Sequence, residues 1–243
     1  MSIVLDIIIS IFLILGVIAG IRKGLIKTLV GFVGVVAVLM LSYYLKTPLA
    51  NFLIDKLPFF DFAGSLAGLT ALNILIYNII AFIVVFIVLY CILNIVMAVT
   101  GFIDILLKFT VIWIIPSKIG GAILGFLESW VFVYLVIFVL LQFSFGTQLI
   151  KGSVLSSFIL DHTPVIGTYL SNATEAAKDI YEKIDESVKD ENKTTKELNI
   201  EILNIEIING LITKEKANEL LQTGKLRIDD VMIGKGIRKW LNI

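Results

Sequence analysis

This sequence predicts an all-α integral membrane protein with four transmembrane helices, interfacial helices and a C-terminal helical tail. Three observations predict it. The chain of 243 residues is 58% hydrophobic and only 16% charged, with a mean hydropathy of +0.98, outside the range of a soluble globular domain. Its apolar residues gather in runs of about twenty, the length a helix needs to cross a hydrocarbon core. The charge is unevenly spread: five acidic and seven basic side chains precede residue 151, and fifteen acidic and thirteen basic follow. Neither excess suits nucleic acid.

The first two runs set the frame. Residues 3–21 and 25–45 are apolar, and between and just beyond them lie Arg22, Lys23 and Lys27. The gap allows only a sharp turn, so the helices run antiparallel with this basic turn at one membrane face. The positive-inside tendency makes that face cytoplasmic. The first run is read as retained and not as a signal peptide, because its positive charges follow the apolar stretch and no A-x-A-like cleavage site is evident. Asp6, Ser10, Gly16, Gly20 and Gly24 fall on one third of the first helix, with two G-x-x-x-G spacings that let another backbone approach. Thr28, Gly31 and Ser42 share a face of the second helix that would receive the first.

Residues 46–71, with Pro48, Asp55, Lys56, Pro58 and Asp61, are rich in aromatic residues and leucine. They are expected to form one or two short amphipathic helices along the outer interface. Residues 72–99 form the third span, with Asn73 and Asn94 on a similar side and Asn78 elsewhere, ending near Gly101. Residues 102–118 read as an interfacial helix on the cytoplasmic face, with a fifth, re-entrant segment as the alternative; Asp104 and Lys108 fall at i and i+4, Trp113 at the interface and Pro116 as a stop. Residues 119–143 form the fourth span, in which Gly121, Gly125 and Glu128 follow i, i+4, i+7. A carboxylate inside a span is costly and faces a bundle interior or water. Glu128 is deeper than Asp6 and is the first candidate for a functional ionisable group.

Four spans put both termini on the side opposite the basic turn, that is, outside. A membrane domain over residues 1–167 gives way to a polar helical tail over 168–243. In the tail Tyr169, Ala173, Ile180, Ile184 and Val188 mark one side of a helix to about Lys189, and residues 190–195 form a linker. Residues 197–209 are expected to be helical with Gly210 as the stop, Thr213 caps a short helix ending before Gly224, and residues 226–243 make a third. The tail reads as a docking module for a protein partner. The bilayer and a second copy of the chain are the other partners expected.

One cysteine, Cys91, and one histidine, His162, argue against a disulfide, a structural zinc site or a nucleophile–base pair. Cys91 in an apolar run is expected to be a small packing residue. No catalytic, cofactor or metal residues can be assembled, and the expectation is no enzyme and no cofactor.

The RKGL of the hairpin (Arg22–Leu25), the GGAILG opening the last span (Gly120–Gly125) and the following TPVIG (Thr163–Gly167) together resemble the colicin V production protein family, over about residues 1–167. The sequence departs from the family pattern at Thr28, where an acidic residue is frequent, and at Glu128 and Ser129, where a basic residue and a glycine are frequent. The resemblance implies a four-span protein of the bacterial inner membrane, involved in toxin biosynthesis or export or in envelope maintenance, as an accessory or scaffold. Family members fused to an external protease domain agree with an outward C-terminus. A small channel or transporter subunit, with Glu128 and Asp6 lining its path, is the other reading.

Overall fold

The computed structural model describes residues 2–107, 114–150, 152–189 and 194–226. Among them every regular element is a helix: α1 (Ser2–Lys23), α2 (Leu25–Lys56), α3 (Leu72–Leu107), α4 (Ile114–Leu141), α5 (Ser144–Ile150), α6 (Val154–Asp161), α7 (Pro164–Lys189), α8 (Thr195–Ile208) and α9 (Lys214–Gln222), with a 3-10 turn at Gly64–Leu66. Four helices among the described residues are long and apolar enough to cross a membrane, within α1, α2, α3 and α4. Their outward faces carry large apolar side chains such as Ile7, Ile11, Ile87 and Ile95, which are exposed as lipid-facing residues should be.

Several boundaries differ from expectation. The second helix does not end at Leu45. It continues to Lys56 with Pro48 inside it, because Ala50 and Ile54 on its far turns are buried and their packing outweighs the one backbone bond a proline removes. The expected amphipathic helix over 46–71 is thereby replaced by the end of α2, a connector and the 3-10 turn. The third helix passes through Gly101 and Asp104 to Leu107, so residues 102–107 are not a separate interfacial helix. Lys108 and Trp113 lie outside the described residues. Pro116 does not stop a helix; it sits in the first turn of α4, where its missing N–H is one that has no helical partner anyway. Residues 144–167 form α5, α6 and the start of α7, so the expected domain boundary at 167 falls inside a helix.

By contacts the chain forms two compact units, Met1–Lys46 with Phe82–Ser171, and Thr47–Ala81 with Asn172–Ile243. This division differs from a break at residue 167, because the ends of α2 and α3 nearest their shared connector join the tail. The helices explain it by length. With 32 and 36 residues they extend ~48 and ~54 Å, well beyond a hydrocarbon core of ~30 Å.

In the first unit α1 packs antiparallel on α4 through glycine. A Cβ at Gly20 would land on the Gly121 carbonyl, one at Gly125 on the Gly16 carbonyl, and one at Gly16 on the Ser129 hydroxyl. Gly24 follows the last residue of α1 yet still meets the seam, its carbonyl carbon 3.1 Å from where a Cβ at Gly121 would stand. The Gly24 φ of 81° makes it the left-handed turn residue between α1 and α2, a role that glycine fills without strain. Edge-on aromatic pairs join α3 to α4: Phe82 with Phe138 at 5.5 Å and Tyr90 with Phe132 at 5.4 Å. Cys91 is exposed instead of packed.

The second unit has an aqueous-style core of Ile54, Leu69, Ile74, Leu75, Ile180, Ile202, Leu203 and Leu220. Of the expected apolar side of α7, Ala173, Ile180 and Ile184 are buried, but Val188 is exposed, and the Tyr169 side chain lies outside the description. Thr194 and Glu197 form a capping box at the start of α8, Gly210 (φ 70°) follows its end, and Thr213 caps α9. Residues 190–193 and 227–243 lie outside the described residues.

Candidate functional site

The glycine seam positions the candidate site. Because Gly16 meets Gly125 and Ser129, Glu128 lies at the depth of Gly16, seven residues or ~10 Å along the axis from Lys23. The Lys23 and Glu128 side chains close that interval from its two ends. Lys23 Nζ donates to Glu128 Oε1 and Oε2, each at 3.3 Å. The Glu128 side chain is 12% exposed and that of Lys23 34%, so the pair is partly desolvated and attracts more strongly than a surface pair. Gly31 makes the room: a Cβ there would stand 3.2 Å from Glu128 Oε1 and 3.2 Å from the Met97 methyl. The Gly31 face thus receives α4 and α3, where the sequence suggested it would receive α1.

A half-open cavity of about 300 Å³ adjoins the pair, its lining mixing polar Lys23, Lys27, Tyr90, Asn94 and Glu128 with apolar Val35, Leu93 and Met97. Asn94 is exposed and donates to the Tyr90 carbonyl at 2.8 Å; that bond stays within its own helix instead of crossing to another. Of the basic turn, Arg22 is exposed while Lys23 and Lys27 are half-buried, so two of the three charges point into the unit. The turn itself is held by Thr28, whose hydroxyl donates to the Gly24 carbonyl at 2.7 Å, and by Ser117, whose hydroxyl accepts from the Leu25 N–H at 3.1 Å.

Asp6 is used elsewhere. Its Oδ1 accepts from the Ser153 hydroxyl at 2.5 Å and the Leu155 N–H at 3.1 Å, and its Oδ2 from the Val154 N–H at 3.3 Å. Those N–H groups open α6, so Asp6 and Ser153 together cap that helix. Asp6 and Glu128 are not brought together. His162 stacks on Phe158 at 4.1 Å and borders a mainly apolar cavity of about 540 Å³ with Phe32, Trp130 and Thr163.

In the second unit polar side chains close the ends of α2 and α3, a feature that sequence reasoning missed. Asn73 accepts from the Phe60 N–H at 2.6 Å and donates to the Phe60 carbonyl at 3.2 Å, so it orders the connector and does not bond between spans. From α8, Asn199 Oδ1 accepts from the Ala71 N–H at 3.0 Å, and Glu206 Oε1 accepts from the Leu75 N–H at 3.0 Å. Ala71 immediately precedes α3 and Leu75 lies at its start, the end of a helix where N–H groups need partners from outside it. Lys225 Nζ donates to the carbonyls of Ile54, Asp55 (2.7 Å) and Leu57 (3.2 Å), and Lys216 bridges Asp55 at 2.5 Å and Glu219 at 2.9 Å. A cation thus sits on the carbonyl end of α2, the arrangement helix dipoles favour, and a carboxyl oxygen accepts from an N–H at the start of α3. Burial pushes the Glu206 carboxyl well above the usual range, against the lowering effect of the Leu75 N–H. The signal available in the sequence was Asn199 and Glu206 at i and i+7 on the face of Ile202 and Leu203: polar groups on a helix's apolar side demand partners.

A model of the family described as Colicin V production protein matches residues 5–164. The chain belongs to this family. Comparison with curated proteins and with solved structures finds no match. As a colicin V production protein with four apolar helices, it is a multi-pass membrane protein. The family is not a known enzyme family. The matched stretch holds the glycine seam, Lys23 and Glu128, while α8 and α9 lie beyond it.

Proposed function

We propose that this colicin V production-type protein is a scaffold of the bacterial inner membrane, serving toxin secretion or envelope maintenance without catalysing a reaction. The Arg22 turn faces the cytoplasm, both termini lie outside, and the outer module of Thr47–Ala81 with the tail recruits a protein partner. One observation carries the reading. The tail is not a loose appendage but closes the ends of α2 and α3 through Asn199, Glu206 and Lys225, which makes a preorganised surface on one side of the membrane. That the tail and the α2–α3 connector belong to one unit supports both being on the side opposite the basic turn, as four spans require.

A channel or transporter is the weaker reading, since Asp6 and Glu128 are each engaged in intramolecular contacts where a conducting path needs groups open to water. Protease added to intact cells tests the orientation, with cleavage in the tail expected before the membrane is opened. Tail protection in intact cells would reverse the topology. Ion flux in vesicles tests the class: flux that is present in the wild type and lost in Glu128→Gln would replace the scaffold by a channel.

A further inference from the structure

We propose that the cavity between Lys23, Lys27, Asn94 and Glu128 is a binding site for the phosphate of a membrane lipid. The charge balance of the cavity points there. Among the described residues its charged lining at neutral pH is two ammonium groups and one carboxylate. Glu128 is committed to Lys23 at 3.3 Å, which leaves the half-buried Lys27 without a counter-charge among the described residues. A cation that close to the hydrocarbon is costly unless an anion meets it, and a phosphate oxygen is a strong acceptor for an ammonium. Asn94 gives Tyr90 one of its two amide hydrogens, so the second remains for another phosphate oxygen.

The volume and lining say which phosphate. About 300 Å³ is at the small end of ligand cavities, sufficient for a head group and not for a whole lipid. The lining also includes apolar Val35, Leu93 and Met97, and the neighbouring residues of α3, Ile92, Ile95 and Val96, are exposed. A phosphate diester can therefore enter at Lys27 while its acyl chains run along α3 in the bilayer. A free phosphate would leave that apolar lining unused, so the lipid is the occupant favoured. The inference does not depend on the scaffold reading.

The test uses the full-length protein purified in neutral detergent, with native mass spectrometry read against added phosphatidylglycerol. One bound lipid is expected on the wild type. Removing one charge-assisted bond should weaken binding in Lys27→Gln by roughly tenfold, and Lys27→Arg should restore it. Millimolar inorganic phosphate should not displace the lipid. Equal retention by Lys27→Gln, provided its lipid-free melting matches the wild type, would overturn the site. Displacement by inorganic phosphate would overturn the lipid as its occupant. If Lys27→Gln fails to fold, binding by Lys27→Arg and its loss in Asn94→Leu decide the same question.

Discussion

The α1–α4 seam and the α8 contacts on α3 solve the same task, holding one helix to another, with opposite means. At the seam Gly16, Gly20, Gly121 and Gly125 bring backbone against backbone, and the Lys23–Glu128 pair is the polar contact beside them. Lipid offers no hydrophobic gain for helix association, so close packing of small residues supplies the attraction. At α8 the apolar core of Ile202 and Leu203 is joined by Asn199 and Glu206, which bond N–H groups at the start of α3. There the chain is long enough to leave the hydrocarbon, apolar burial again drives packing, and exposed helix ends must be closed. The difference teaches that shape governs one region and hydrogen bonds to helix ends the other, so the two should fail under different perturbations.

The largest effect is expected from Gly20→Leu. Its side chain must displace the Gly121 backbone, an overpacking cost of about 3 kcal/mol or more, read as a lower thermal midpoint in detergent. Unchanged melting would mean that the seam does not hold the unit together. Next is Glu206→Ala, which strands the buried Leu75 N–H at a cost of about 2 kcal/mol. It should raise hydrogen exchange in α8 and at the start of α3 while leaving Gly16–Gly20 protected. Faster exchange at both places would merge the two regions into one cooperative unit.

The Glu206 carboxyl also gives the second region a pH dependence of its own. Its folded pKa is raised above the unfolded value of 4.5, so the native state holds the extra proton. Stability is then full below 4.5 and declines as pH rises toward and through the folded pKa. Glu206→Gln, which keeps an acceptor for Leu75, should flatten this decline, and an identical pH profile in the variant would assign the effect elsewhere. The smallest effect is expected from Glu128→Gln. With Lys23 34% exposed, losing this pair should cost about 1 kcal/mol and lower the salt sensitivity of melting in the first region, leaving the second unchanged.

The four spans, the sharp basic turn and the caps at Thr213 and Gly210 were legible, because apolar run length and cap chemistry are local properties. The glycine spacings of α1 and α4 were legible as faces but not as partners: Gly31, assigned to α1, opens toward Glu128 and Met97. Pro116 misled as a stop and Pro48 as part of a separate segment, since a first-turn position and the burial around Ala50 and Ile54 each overrode a local rule. Lys23 was read as a surface charge, and Glu128 as a carboxylate without an assigned partner. Their pairing across 105 residues of chain has no local trace.

By itself, then, the sequence determined that the chain crosses the membrane as helices, because an unpaired backbone is intolerable in hydrocarbon and only these runs are long enough to span it. The tertiary structure alone decided that α1 meets α4, that Lys23 turns inward to Glu128, and that the tail closes the ends of α2 and α3. These are choices among faces of similar composition. They are settled by which backbones can touch and which buried polar atoms find partners, and both are properties of three dimensions.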